Sequence, residues 1–119
     1  MELDFSKLIL PTPRTAVFKM DDYVVWCGTI AKHDDGLYYL LFSRWPKSEG
    51  HGGWVTCSEI GYAVSESPIG PFEYRGIALK GSGGENWDAD CVHNPTVIKY
   101  QNKYYMYYSA NEHLYVATA

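Results

Sequence analysis

Three carboxylates of the sequence are candidates for acid–base chemistry. Asp88 and Asp90 lie two residues apart ahead of a strand-like stretch, and Glu59 begins another. In extended chain, residues two apart point to the same side, so Asp88 and Asp90 would share a face. Repulsion between paired carboxylates favours one of them holding a proton, which suits an acid–base pair. The alternatives are a loop cap for Asp88 and an ordinary strand-edge charge for Glu59.

Two histidines and an asparagine add polar groups near these carboxylates. His51 lies between glycines, which let the backbone approach a ligand closely, but it could also be a solvated loop tip. His93 precedes Asn94 and Pro95 in a segment that the proline keeps extended. His93 could hold a hydroxyl, a water or an ion, or it could be a buried histidine bonded to a neighbouring strand. Asn94 offers donors and acceptors, although Asn-Pro is also a turn signal.

The same stretch raises the question of a metal. Asp88, Asp90, Cys91 and His93 crowd together, but without the paired spacing of structural zinc. No cofactor is expected. If a metal does bind, a hard cation such as calcium, held by carboxylates and water, is favoured over zinc.

The elements that must position these groups are β-strands. Eleven Tyr, four Trp and four Phe favour strands, while eleven Gly and six Pro supply turns. No segment shows a sustained helical period. Strand-like stretches cover residues 23–32, 37–44, 59–65 and 72–79. Residues 46–56 insert more chain between two strands than a hairpin needs, so this loop is a candidate for function.

The strand pattern then repeats. Tyr38 and Ser43 fall on Tyr104 and Ser109 at one common offset, and residues 60–65 resemble residues 114–119. Such a repeat favours propeller blades over a sandwich. We therefore predict an all-β chain with a lead-in at 1–22, a first antiparallel blade at 23–80, and a loop and truncated second blade at 81–119. Because blades need neighbours, we expect a piece of a longer protein or a homodimer through open blade edges.

Composition excludes several classes of function. A net charge of −4 argues against a broad nucleic-acid-binding surface. The longest apolar run is short of a membrane span, and residues 1–10 lack a signal-peptide layout, which slightly favours the cytoplasm. Three cysteines without zinc-type spacing favour free thiols over a disulfide framework.

Five phrases resemble a known group of enzymes. They are Trp-Cys-Gly-Thr at 26–29, Phe-Ser-Arg-Trp-Pro at 42–46, Ser-Glu-Ile at 58–60, Ser-Pro-Ile-Gly-Pro-Phe at 67–72 and His-Asn-Pro-Thr at 93–96. Together they resemble the five-bladed β-propeller glycoside hydrolases of the family 43 and family 117 type, over about two of the five blades. The chain departs from family 43 at Cys27 and Thr96, where that family places aspartates.

The resemblance implies a funnel-shaped site on the propeller axis that cleaves glycosidic bonds of an oligosaccharide or polysaccharide. Such hydrolysis uses two carboxyl groups, for which Glu59, Asp88 and Asp90 are the candidates, and His51 could act as acid as in family 117 relatives. A non-catalytic carbohydrate-binding or structural module is the alternative.

The remaining candidates would bind the sugar. Trp45, Trp54 and Trp87 could stack on a sugar face, and Trp26 is expected to fill the core between blades. Arg44 would suit an acidic sugar, unless it forms an ordinary surface ion pair. His93 and Asn94 would hold sugar hydroxyls.

Overall fold

The structure is a computed structural model that describes residues 4–111 and 113–119. Its strands are β1 (Tyr23–Lys32), β2 (Tyr38–Pro46), β3 (Glu59–Ser65), β4 (Glu73–Leu79), β5 (His93–Tyr100), β6 (Lys103–Ala110) and β7 (His113–Thr118). Its helices are short: α1 (Phe5–Leu8), α2 (Gly53–Thr56) and two 3₁₀ turns at Arg14–Ala16 and Lys47–Glu49. No helix in these described ranges is long and apolar enough to span a membrane.

The strands form two antiparallel sheets, with orders β1-β2-β3-β4 and β5-β6-β7 within the described residues. The first turn shows why the chain reverses where it does. Asp35 Oδ1 accepts from the Leu37 N–H at 2.8 Å, and Gly36 adopts a φ of 88° that favours glycine. The prediction of an all-β chain with two antiparallel sheets is confirmed. The division at residues 22 and 80 stays a prediction.

The predicted repeat is visible in the strand register. Ser43 of β2 lies opposite Trp26 on one side and Ile60 on the other. Ser109 of β6 lies in the same way between His93 and residue 114. The two sheets are therefore structural copies of one unit over their first three strands.

The sheets pack face to face around a small core. Ile60 of β3 clusters with Val92, the residue before β5, and with Tyr108 and Ala110 of β6, and Leu41 and Met106 pack against them. Burial of this apolar surface supplies most of the favourable free energy that joins the sheets.

Polar contacts fix the two ends of this packing. At one end, Val92 N–H donates to the Ser58 carbonyl at 2.9 Å. At the other end, Lys99 of β5 pairs with Asp34 in the β1–β2 turn, and the ring of His33 stacks on Tyr104 with centroids 5.3 Å apart. The sheets therefore cannot slide along one another without breaking contacts at both ends.

The lead-in covers the opposite face of the first sheet. Phe18 packs on Phe42, with ring centroids 4.9 Å apart, and Lys47 Nζ donates to the carbonyls of Met20 and Asp21. The lead-in also includes two short helical elements, α1 and the Arg14–Ala16 turn. It protects apolar surface of the first sheet from water.

Truncating a buried isoleucine should lower the stability of the fold more than truncating an exposed one. Ile60→Ala removes a fully buried side chain, so the free energy of unfolding should fall by about 2–5 kcal/mol in a urea titration. Ile77→Ala is the matched control, because Ile77 is 45% exposed and its truncation should change stability by less than about 0.5 kcal/mol. Equal losses for the two variants would contradict the packing described here.

Candidate functional site

A cavity of about 270 Å³ lies where both sheets and the inserted segment meet. We call it the tryptophan cavity. It is lined by Trp26, Cys27, Ser43, Trp45, His51, Trp54, His93 and Asn94. The structure thus brings together five of the residues predicted from sequence, namely Trp45, His51, Trp54, His93 and Asn94. Cavities of this kind, apolar with a few convergent polar groups, are typical small-molecule sites.

Trp26 was expected in the core between blades, and this expectation was wrong. A β-bulge shifts the β1–β2 register between Trp26 and Thr29, and Cys27 within it has a φ of 46°. A bulge re-aims the side chains around it. Trp26 is therefore 51% exposed and lines the tryptophan cavity with Cys27.

The inserted segment was expected to be a plain loop, but it folds into the Lys47–Glu49 turn and α2. Trp45 holds it in place. The Trp45 indole N–H donates to the Gly50 carbonyl at 2.9 Å, and a Cβ at Gly53 would overlap the Trp45 ring. Trp45 itself is 2% exposed, so little of its ring is accessible from the cavity that it lines. The anchored segment then presents His51, whose ring centroid lies 6.0 Å from that of Trp26.

His93 forms the buried part of the wall. It is 4% exposed, and Trp54 meets it edge to face with centroids 5.3 Å apart. Its Nδ1 is buried and has no hydrogen-bond partner among the described residues. Burial lowers the pKa of the His93 imidazole below its ordinary value of 6.5, so the ring is neutral at pH 7. A neutral imidazole can donate from one nitrogen and accept at the other.

Arg44 and Glu59 form a separate structural cluster. They lie opposite each other across β2 and β3, and Glu59 Oε1 accepts from Arg44 Nε at 2.8 Å and from Nη2 at 2.6 Å. The guanidinium is sandwiched between the rings of Tyr23 and Tyr74, at 4.1 and 4.7 Å from their centroids. Neither Arg44 nor Glu59 lines the tryptophan cavity. From the sequence, Arg44 was considered for sugar binding and Glu59 for catalysis. The pairing of β2 with β3 places them opposite each other, so the register of these strands could have predicted the ion pair.

The other predicted residues lie outside the cavity. Asp88 accepts from the Ser82 hydroxyl within the loop before β5, and Asp90 is exposed there. Trp87 lies against Tyr108, with ring centroids 6.1 Å apart. These three residues therefore do not join His51 and His93 around the tryptophan cavity.

Metal and thiol expectations have different outcomes. In the described part of the chain, no group of three or more His, Cys, Asp or Glu side chains is arranged to hold a metal ion. The possibility of a calcium-like cation stays a prediction.

All three cysteines are free thiols: Cys27 is exposed, Cys57 is intermediate and Cys91 is buried.

A larger cavity of about 450 Å³ lies further out between the sheets. Its wall is mostly apolar and includes Leu41, Leu79, Val97, Met106 and Ala117. It offers few groups for a polar ligand, so it is a space in the packing between the sheets rather than the better candidate site.

Removing the charge of Glu59 should reveal a structural role. Glu59→Gln leaves the Arg44 guanidinium buried beside a neutral amide, so the free energy of unfolding should fall by about 2–4 kcal/mol in urea. The double variant Arg44→Met with Glu59→Leu should recover most of that loss, because neither charge remains buried. Wild-type stability in Glu59→Gln would contradict this role and favour a catalytic one.

Protonation of His93 should destabilise the fold. The unfolded chain binds the proton near pH 6.5 and the folded chain only at lower pH, so stability present above that value falls as the pH falls. In His93→Phe this contribution disappears. The stability difference between wild type and His93→Phe should therefore change between about pH 7.5 and pH 5, measured by urea unfolding. A constant difference would mean that His93 titrates normally.

No protein-family model matches the chain. The chain is 41% identical to an arabinoxylan arabinofuranohydrolase of Paenibacillus polymyxa in an alignment of 87 positions, which covers 68% of the chain and 12% of that protein.

Two solved structures share the fold. A family 117 glycoside hydrolase of Zobellia galactanivorans matches 82% of the chain with a TM-score of 0.68 and 17% identity, and the chain covers 35% of it. An endo-arabinase of Bacteroides thetaiotaomicron matches 81% with a TM-score of 0.52 and 22% identity, and the chain covers 31% of it. The predicted resemblance is thus confirmed: the chain has the fold of part of a five-bladed glycoside hydrolase propeller.

Proposed function

We propose that the tryptophan cavity binds one ring of a carbohydrate and that the whole protein is a glycoside hydrolase acting on an oligosaccharide or polysaccharide. The glycoside hydrolase-like fold supports the class of ligand. The arabinofuranohydrolase similarity favours pentose-containing chains, and so we take arabinoxylan and arabinan fragments as the first ligands to test.

The observation that carries the proposal is the composition of the cavity wall. Trp26 and Trp54 line the cavity and are partly exposed, and the C–H edges of a sugar can pack on an indole ring. His51, His93 and Asn94 place donors and acceptors beside them for the sugar hydroxyls. A volume of about 270 Å³ is near the lower limit of small-molecule sites, so it suits a single ring.

The same wall predicts that this chain alone does not hydrolyse its ligand. Glycoside hydrolysis generally needs two carboxyl groups flanking the bond. None of the described residues that line the tryptophan cavity is a carboxylate. In the proposal, His51 donates to the bound sugar, and Asp90, exposed ahead of β5, is the candidate carboxylate of this stretch. Asp88 is tied to Ser82 and Glu59 to Arg44, which makes both less available.

The second candidate is a carbohydrate-binding module without catalysis. The absence of carboxylates from the described cavity wall and the use of Glu59 in an ion pair favour it. Turnover of arabinoxylan by the whole protein, abolished by Asp90→Asn, would decide for the hydrolase. Binding that survives Asp90→Asn without any turnover would decide for the module. A homodimer through open blade edges stays a prediction, checked by light scattering.

Sugar binding itself can be tested on the chain by calorimetry. Trp54→Ala should weaken the affinity for arabinoxylan fragments about tenfold, since a lost aromatic contact is equivalent to about 1.4 kcal/mol. Tyr107→Ala is the matched control, because Tyr107 is 42% exposed, close to the 37% of Trp54, and lies outside the cavity. The proposal fails if neither arabinoxylan nor arabinan fragments bind, or if both variants bind like wild type.

A further inference from the structure

The two sheets repeat one irregularity at the same place. In the first sheet, the β1–β2 register shifts between Trp26 and Thr29, and in the second, the β5–β6 register shifts between His93 and Thr96. The residue that follows Trp26 is Cys27, with a φ of 46°. The residue that follows His93 is Asn94, with a φ of 53°. Each blade thus carries one side chain in the left-handed region at an equivalent position.

This conformation is unfavourable for most side chains. Asparagine tolerates it, whereas cysteine rarely adopts it. Elsewhere positive φ values fall on glycines such as Gly36 and Gly50, and on Gln101, Asn102 and Asn111 in the turns of the second sheet; Cys27 and Asn94 differ from these because they lie within strands. A side chain kept in a strained position is a recognised sign of function, and bulges next to binding sites re-aim side chains.

Both bulges open into the same space. Cys27 and Asn94 line the tryptophan cavity from different sheets, and both are exposed within it. Ser43, the strand partner of Trp26, ties the two bulges together, because its hydroxyl accepts from the Asn94 N–H at 2.8 Å. Ser43 is 1% exposed, so this link is part of the interior.

A second observation points to a ligand at this place. His93 is the residue directly before Asn94, it is 96% buried, and its Nδ1 has no partner within the described residues. An unpaired buried polar atom is costly, so it calls for a compensating group. The bulge therefore sets a polar ring and a polar amide side by side at the cavity wall.

We infer that Cys27 and Asn94 are the specificity-determining residues of the tryptophan cavity. This inference rests on the proposed function and deepens it. The Asn94 amide can donate to one sugar hydroxyl and accept from its neighbour, so it distinguishes the arrangement of two adjacent hydroxyls. The Cys27 thiol, a weak donor and acceptor, meets the ligand from the other blade.

Protection of the thiol gives a direct test. Iodoacetamide alkylates a thiolate, forming a carbon–sulfur bond as iodide leaves, and mass spectrometry follows each cysteine separately. Saturating arabinoxylan fragments should slow the alkylation of the exposed Cys27 at least about fivefold, and more than that of Cys57, which lies outside the cavity. The buried Cys91 reacts only when the fold opens, so its rate measures any general stabilisation by the ligand.

Substitution tests the same residues independently. Asn94→Ala should weaken arabinoxylan binding about tenfold, because it removes one or two hydrogen bonds to the sugar. Asn94→Gly makes the same test without placing alanine at a positive φ.

Cys27→Gly should raise Tm by a few degrees because glycine relieves the backbone strain, and it should weaken binding about threefold because the thiol is lost. Gln101→Gly is the matched control: Gln101 has the same φ of 46° in the β5–β6 turn and lies outside the cavity. It should raise Tm without changing affinity.

The outcomes separate the inference from the proposed function. If arabinoxylan binds in a Trp54-dependent way, but Asn94 and Cys27 variants bind like wild type and Cys27 alkylates at the same rate, the inference is overturned and the sugar site remains. If wild type binds neither arabinoxylan nor arabinan fragments, the proposed function fails and the inference fails with it.

Discussion

The whole site depends on three hydrogen bonds that join the sheets beside the cavity. Val92 N–H donates to the Ser58 carbonyl, the Ser58 hydroxyl donates to the Val92 carbonyl at 3.0 Å, and Asn94 N–H donates to Ser43 Oγ. His93 lies between the two anchored residues, so its ring has little freedom. Because Ser43, Ser58 and Val92 are buried, water has little access to these bonds, and losing one would leave a buried polar atom unpaired. These hydrogen bonds therefore fix the positions of the two cavity walls relative to each other.

The inserted segment makes the third wall and is held independently. Trp45 belongs to β2, yet its indole binds Gly50 and its ring leaves no room for a side chain at Gly53. The short helix that follows sets Trp54 against His93 of the other sheet. A ligand would thus meet a wall whose main side chains are already ordered, which reduces the entropy lost on binding.

Sequence patterns predicted the scaffold better than the site. The abundance of aromatic residues predicted strands, and the predicted bounds of β1 and β3 agree with those in the structure. The repeat that matches Ser43 to Ser109 predicted two copies of one unit, and the two serines do lie at equivalent positions in their sheets. The position of Trp26 could not be predicted, because one extra residue in a bulge reverses the face that a side chain takes. The grouping of His51 with His93 required knowledge of how the insertion folds, which no local pattern contains.

The duplicated bulge has a consequence for how such blades diversify. Its left-handed residue takes no part in defining which strands pair, since the ladder resumes on both sides at Trp26 and Thr29, or at His93 and Thr96. A substitution at this one position changes the functional group that faces the ligand, while the surrounding strands keep their pairing. Copies of a common hairpin can in this way acquire a thiol in one sector and an amide in the next, so that chemical variety arises on an unchanged frame.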